Sequence, residues 1–172
     1  MIGLDWRVKV RPPLVAALVT LAPGLLGLIT GRLLLFPSLA PSAVLQAHSP
    51  EHASSRPYNL IVSHLLGMGV AFMMVWMLGL AHSPSVFQVH RLSAARVAAA
   101  VLAVFLGTLL EIVLGAPHAP AASTTLLVAL GSLPLGWPSA GLITAGVLVT
   151  AGVGEAGRRY QLLRRARHQV MS

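Results

Sequence analysis

Apolar residues along this chain come in long runs separated by short polar or proline-rich punctuation. A helix that crosses a bilayer needs roughly 20 mostly apolar residues. Four stretches meet that length, at residues 14–36, 59–81, 93–115 and 138–160. The pattern predicts an all-α membrane protein of four spanning helices. The first run follows a basic start (Arg7, Lys9, Arg11), as a secretory signal does. It is too long for one, is interrupted by Pro23 and Gly24, and has no A-x-A-like cleavage site after it. It reads as a spanning helix.

Two further apolar pieces are too short to span. Residues 121–133 open with Pro117-His118-Ala119-Pro120 and close with Leu133-Pro134-Leu135-Gly136. Proline at the first helical turn, with proline and glycine past the end, is the punctuation of a short helix. Residues 37–47 carry the same grammar around Pro37 and Pro41. Non-spanning backbone at membrane depth survives only when buried in protein or lining a cavity. Two short re-entrant helices are therefore expected on the outer side. The other reading is a pair of apolar loops at the interface.

Composition narrows the class. Hydrophobic residues make up 56% and charged residues 9%, against about 25% charged in soluble domains. Mean hydropathy is +0.80. Disorder, coiled coil and a soluble α/β enzyme are excluded on these figures. There is no cysteine, hence no disulfide or thiolate chemistry. The net charge of +8 resembles that of a nucleic-acid binder, but ten of the twelve Lys and Arg flank apolar runs in three groups. These are Arg7, Lys9 and Arg11; Arg91 and Arg96; and Arg158, Arg159, Arg164, Arg165 and Arg167. With four crossings all three groups fall on one side, cytoplasmic by the positive-inside rule. The expected organisation is a cytoplasmic segment 1–13, a transmembrane domain 14–160 and a basic cytoplasmic tail 161–172, in a cell inner membrane. No nucleotide-binding, hydrolase or zincin motif occurs, so neither an enzyme nor a cofactor is expected.

The two halves superimpose at one offset of 79. It carries Ala40-Pro41-Ser42-Ala43 onto Ala119-Pro120-Ala121-Ala122, and Gly67 onto Gly146. Repeats at about 14–81 and 93–160 both begin inside if the chain crosses four times. They are then parallel, with an axis along the membrane normal. The third run carries Ala95, Ala99, Ala103, Gly107, Glu111 and Gly115 at four-residue spacing. Such a small-residue stripe lets another helix approach closely. The same offset makes Glu111 equivalent to Arg32. An intramembrane charge is costly and normally finds a partner. Glu111 is thus a candidate for a structural pair with Arg32, a proton carrier or an ion ligand; Arg32 alternatively snorkels to the interface.

Taken in order, these residues resemble the HPP family of small integral membrane proteins. The likeness runs through Phe36-Pro37-Ser38-Leu39-Ala40-Pro41-Ser42-Ala43 and Arg56-Pro57-Tyr58-Asn59 with His64 beyond. It continues through His118-Ala119-Pro120-Ala121-Ala122-Ser123-Thr124 and Leu126-Leu127-Val128-Ala129-Leu130-Gly131. Ala119 stands where the first proline of His-Pro-Pro is usual, and Ala40 and Ser63 stand where glycine is common. The resemblance implies a four-helix membrane domain, and some members of the family transport nitrite.

The residues point towards anions without it. Helix N-termini present unpaired N–H groups and partial positive charge. Short helices starting at Pro41 and Pro120 would place Ser42, Ala43, Ser123, Thr124 and Thr125 there, as an anion site or merely as caps. His118 precedes the second short helix and suits proton-linked movement of a weak acid's anion. His64 lies one turn into the second spanning helix, facing Glu111, Arg32 or the interface. The expected function is transport of a small inorganic anion, nitrite first, by a homo-oligomer in a lipid bilayer. The alternatives are a membrane sensor or scaffold, and a copper-handling protein using Met68, Met73, Met74 and Met77 beside His64.

Overall fold

The computed structural model describes residues 6–170. Among them are seven α-helices and no strand. They are α1 (Trp6–Thr30), α2 (Leu39–His48), α3 (Pro57–Met77), α4 (Val86–Val89), α5 (Ala94–Val113), α6 (Ala121–Ala129) and α7 (Trp137–Val170). A 3-10 turn, Ala53–Ser55, precedes α3. The long helices α1, α3, α5 and α7 take up most of the four apolar runs, although residues 31–36 of the first and 78–81 of the second lie beyond their helices; each helix is long and apolar enough to cross a membrane. Their starts follow local chemistry. Pro57 opens α3 at a first-turn position, and the Ser93 hydroxyl caps α5 by accepting the Arg96 N–H at 3.2 Å. The segments expected at either end are largely helical: α1 begins at Trp6, and α7 continues through the basic cluster to Val170.

Polarity runs outward to inward in reverse of a soluble protein. Leu28, Ile29, Phe105, Ile112 and Val113 are exposed, while Ser42, His64, His118 and Thr124 are wholly buried. Lipid accepts the first group; the second must find hydrogen bonds within the bundle. The small-residue stripe of α5 faces inward as expected, with Ala99, Ala103, Gly107 and Glu111 buried. It meets α3, and a Cβ on Gly107 would lie 3.9 Å from the Gly67 Cα. The apolar core gathers Val70, Ala71 and Met74 of α3, these alanines, Val128 of α6, and Ile143 and Val147 of α7.

The direction of each helix follows from contacts at the two ends of the bundle. At one end Arg158 of α7 donates to the Pro50 carbonyl at 3.0 Å. Tyr58 at the start of α3 donates to Leu114 past the end of α5 at 3.3 Å. A Cβ on Gly157 would touch Val15, early in α1, at 3.1 Å. This basic end therefore holds the start of α1, the 49–56 connection, the start of α3, the end of α5 and the end of α7. At the opposite end Arg96, at the start of α5, donates to the Ala129 carbonyl at 3.0 Å. The Val86 N–H there reaches the Leu130 carbonyl at 3.1 Å. So α6 runs from the middle of the bundle to the opposite end. In the other half Leu39 packs on Gly146 and Gln46 on Gly154, so α2 runs from the middle to the basic end.

Each half is thus a long helix, an extended return with a half-length helix, and a second long helix. The return segments 31–38 and 114–120, with α2 and α6, each make up one traverse. Three traverses per half leave the second half starting at the opposite end, so the halves α1–α3 and α5–α7 are inverted. This corrects the expectation of parallel halves, and with it the placing of all three arginine groups at one end. Arg91 and Arg96 lie at the end opposite Arg158–Arg167. The physical reason is that a crossing shared between extended backbone and a ten-residue helix has no 20-residue apolar run to betray it.

Candidate functional site

The N-terminal ends of α2 and α6 meet inside the bundle. Ser38, the residue before α2, does not cap its own helix. Its hydroxyl lies 2.7 Å from Thr124 Oγ1 of α6. Ser42, one turn into α2, touches two imidazoles through its Oγ. These are His64 Nε2 of α3 at 3.0 Å and His118 Nε2 of the 114–120 return at 2.9 Å. His64 Nδ1 contacts Thr124 Oγ1 at 2.6 Å, and His118 Nδ1 donates to the Ser54 carbonyl at 2.7 Å. The two rings are 5.4 Å apart, centre to centre. Both are fully buried, as are Ser38, Ser42 and Thr124.

The scaffold explains this convergence. Helix α3 buries Leu60, Ser63, His64, Gly67, Val70, Ala71 and Met74, a stripe of helical period. Along it Ser63 donates to the Ala116 carbonyl, and Asn59 donates to Pro117 at 3.3 Å. These two side chains hold the return segment so that His118 turns inward. Glu111 completes the hold, accepting the His118 backbone N–H at 3.3 Å. Gly67 allows the close approach of α6, because any Cβ there would overlap Thr125 Oγ1.

Of the residues proposed from sequence, Ser42, His64, His118 and Thr124 form the cluster itself. Ala43 is buried within α2. Thr125 is buried against Gly67, its hydroxyl donating to Ala121 at 3.3 Å. Ser123 and Pro41 are exposed and Pro120 is half-buried. On a helix of 100° per residue, 121, 124, 125 and 128 share the inner face and 123 does not. The N–H groups of Ala121, Ala122 and Ser123 are bonded to the carbonyls of His118, Ala119 and Pro120. The hydroxyls and imidazoles, rather than these N–H groups, are the cluster's polar atoms.

The expected pair of Arg32 with Glu111 is not formed. Arg32 is exposed, and the ion pairs among the described residues join Glu155 to Arg158 and Arg159, and Glu51 to Arg165. Inversion explains it: equivalent positions of inverted halves lie at opposite ends. The methionines do not converge on His64. Met74 is in the core, Met68 packs beside it, and Met73 and Met77 are exposed.

Ser38, Asn59, Ser63 and the Ser54 carbonyl were not read as site residues from sequence, although Ser38 and Asn59 lie within the quoted motifs and Ser63 stands where the family commonly has glycine. Arg96 was read only as a topology signal. It is buried, and its guanidinium donates to the carbonyls of Ala129, Ser83 and Pro84. It packs on Gly131, whose φ of +80° needs glycine. A cavity of about 530 Å³ opens beside it at the opposite end, lined also by His82, Ser83, Gln88 and Ser132.

An apolar exterior, a buried polar centre and four helices long and apolar enough to cross a bilayer define an integral membrane protein. A family model for the HPP transmembrane region matches residues 5–167, and the chain belongs to that family. No curated protein and no solved structure matches it.

Proposed function

We propose that this protein carries a small inorganic anion across a cell membrane, with nitrite the first candidate. One observation carries the reading: half-helices from inverted halves meet, N-terminus to N-terminus, at a buried cluster of hydroxyls and imidazoles. Transporters use discontinuous helices in this way, their positive ends turned towards anionic groups. The resemblance to nitrite-transporting family members supports the choice of anion. At the opposite end the Arg96 cavity offers a positively charged approach.

Nine of the twelve Lys and Arg lie at the basic end, with Arg32, Arg91 and Arg96 at the other. By the positive-inside rule the basic end is cytoplasmic, and both termini with it. Four long helices make a thin wall around a pathway, so the reading includes a homo-oligomer.

The test is uptake of sodium nitrite into proteoliposomes containing the purified protein. Wild type should show saturable flux above empty vesicles. Ser42→Ala, which removes the atom linking both imidazoles, should lower it at least tenfold. Flux no greater than in empty vesicles would overturn the assignment.

A further inference from the structure

With both imidazoles neutral, one ordering of hydrogens makes every contact in the chain from Ser38 to Ser54 a hydrogen bond. The Ser54 carbonyl can only accept, so His118 donates to it from Nδ1. A neutral His118 then accepts at Nε2, and Ser42 is the donor. That uses the single Ser42 proton, so His64 must donate from Nε2 to Ser42 Oγ. His64 therefore accepts at Nδ1 from Thr124, and Thr124 accepts from Ser38. Five hydrogen bonds point one way, from the start of α2 to the turn before α3. The two imidazoles are held as opposite tautomers on either side of one hydroxyl.

We propose that this Ser42-centred pair of histidines is a binding site for one proton, loaded together with the transported anion; the coupling rests on the function proposed above. The added proton, delivered by a hydronium ion that leaves as water, forms an N–H bond with the lone pair of His118 Nε2. The Ser42 hydroxyl then turns to the Ser38 carbonyl, already 3.3 Å from its Oγ, and its oxygen accepts from both rings. No heavy atom has to move. A second proton would go to His64 Nδ1, displacing the Thr124 hydroxyl and placing two cations 5.4 Å apart. The capacity is therefore one.

The surroundings explain why proton and anion load together. Glu111 of α5, bonded to the His118 N–H, is the acidic group in contact. Helices α2 and α6 and the 3-10 turn contribute serine, threonine and backbone. The acidic residue of α7, Glu155, is taken by Arg158 and Arg159. A buried imidazolium needs nearby counter-charge; Glu111 is one acidic group beside it, and an anion at the helix ends adds the charge that lets proton and anion load together. Each ligand then raises the affinity for the other by the same factor.

The experiment is nitrogen-15 NMR of labelled histidine in detergent-solubilised protein. His48, His52, His82, His90 and His168 are changed to glutamine, leaving His64 and His118. At pH 7.5 His118 should carry its hydrogen on Nδ1 and His64 on Nε2. Adding sodium nitrite at pH 6 should convert one ring to imidazolium, with uptake of one proton per chain from a weakly buffered solution. Matching tautomers, uptake of two protons, or no nitrite-dependent uptake would overturn the proposal. In proteoliposomes, nitrite flux unaccompanied by protons overturns the coupling and leaves the carrier standing. Proton uptake with nitrite but no flux supports the site and overturns the carrier.

Discussion

At the scale of single residues, Glu111 and Arg32 show how a charge is managed once its equivalent is out of reach. Glu111 is buried and held by a backbone N–H of the segment it positions. Arg32 is exposed at the end of α1, where a long side chain can reach the interface. The two do not share a partner, so their effects should add. Arg32→Gln is expected to change stability by less than about 0.5 kcal/mol, as a surface substitution does. Glu111→Gln weakens one buried hydrogen bond and should cost about 1 kcal/mol. The double variant should equal the sum within about 0.5 kcal/mol, measured by thermal unfolding in detergent. Recovery of stability in the double variant would show that the pair forms after all.

At the scale of elements, the contact of α3 with α6 sets the depth of the cluster. It depends on Gly67, where a side chain would overlap Thr125 Oγ1 and press on the Ala121 carbonyl. Overpacking of this kind costs roughly 1–3 kcal/mol. Gly67→Val should lower the unfolding temperature accordingly. Gly67→Ala should be partly rescued by Thr125→Ala, which removes the atom it meets. Gly69, two residues on, has open space at its Cβ position, so Gly69→Ala serves as the control and should be neutral or slightly stabilising. Equal losses at both glycines would mean that helix propensity, not the α3–α6 approach, governs the position.

At the scale of the whole molecule, inversion of the halves makes a topological prediction that differs from a simple four-crossing chain. The 49–56 connection shares an end with the C-terminal arginines, and the α3–α5 connection lies at the other. The native chain has no cysteine, so single cysteines report cleanly. Ala53→Cys and a cysteine at Ser172 should react from the same side of intact cells, and His82→Cys from the opposite side. Labelling of Ala53→Cys from the side opposite Ser172→Cys would restore the four-crossing arrangement.

Hydropathy alone determined the class of protein and the four long helices, because each is a sum over neighbouring residues, and proline punctuation added the two short ones. The family motifs and the proline punctuation also drew attention to Ser42, His64, His118 and Thr124. Which of the short-helix residues face inward followed only from the packed helices, which turned Ser123 and Pro41 out and Thr124 in. The direction of the second half depended on counting α2 and α6 as traverses. Extended backbone can lie inside a membrane only where other helices satisfy it, as Asn59 and Ser63 do for residues 116–117. The order of hydrogens in the cluster hangs on the Ser54 carbonyl, a backbone atom common to every residue. Its role arises solely from where the turn before α3 sets it against His118.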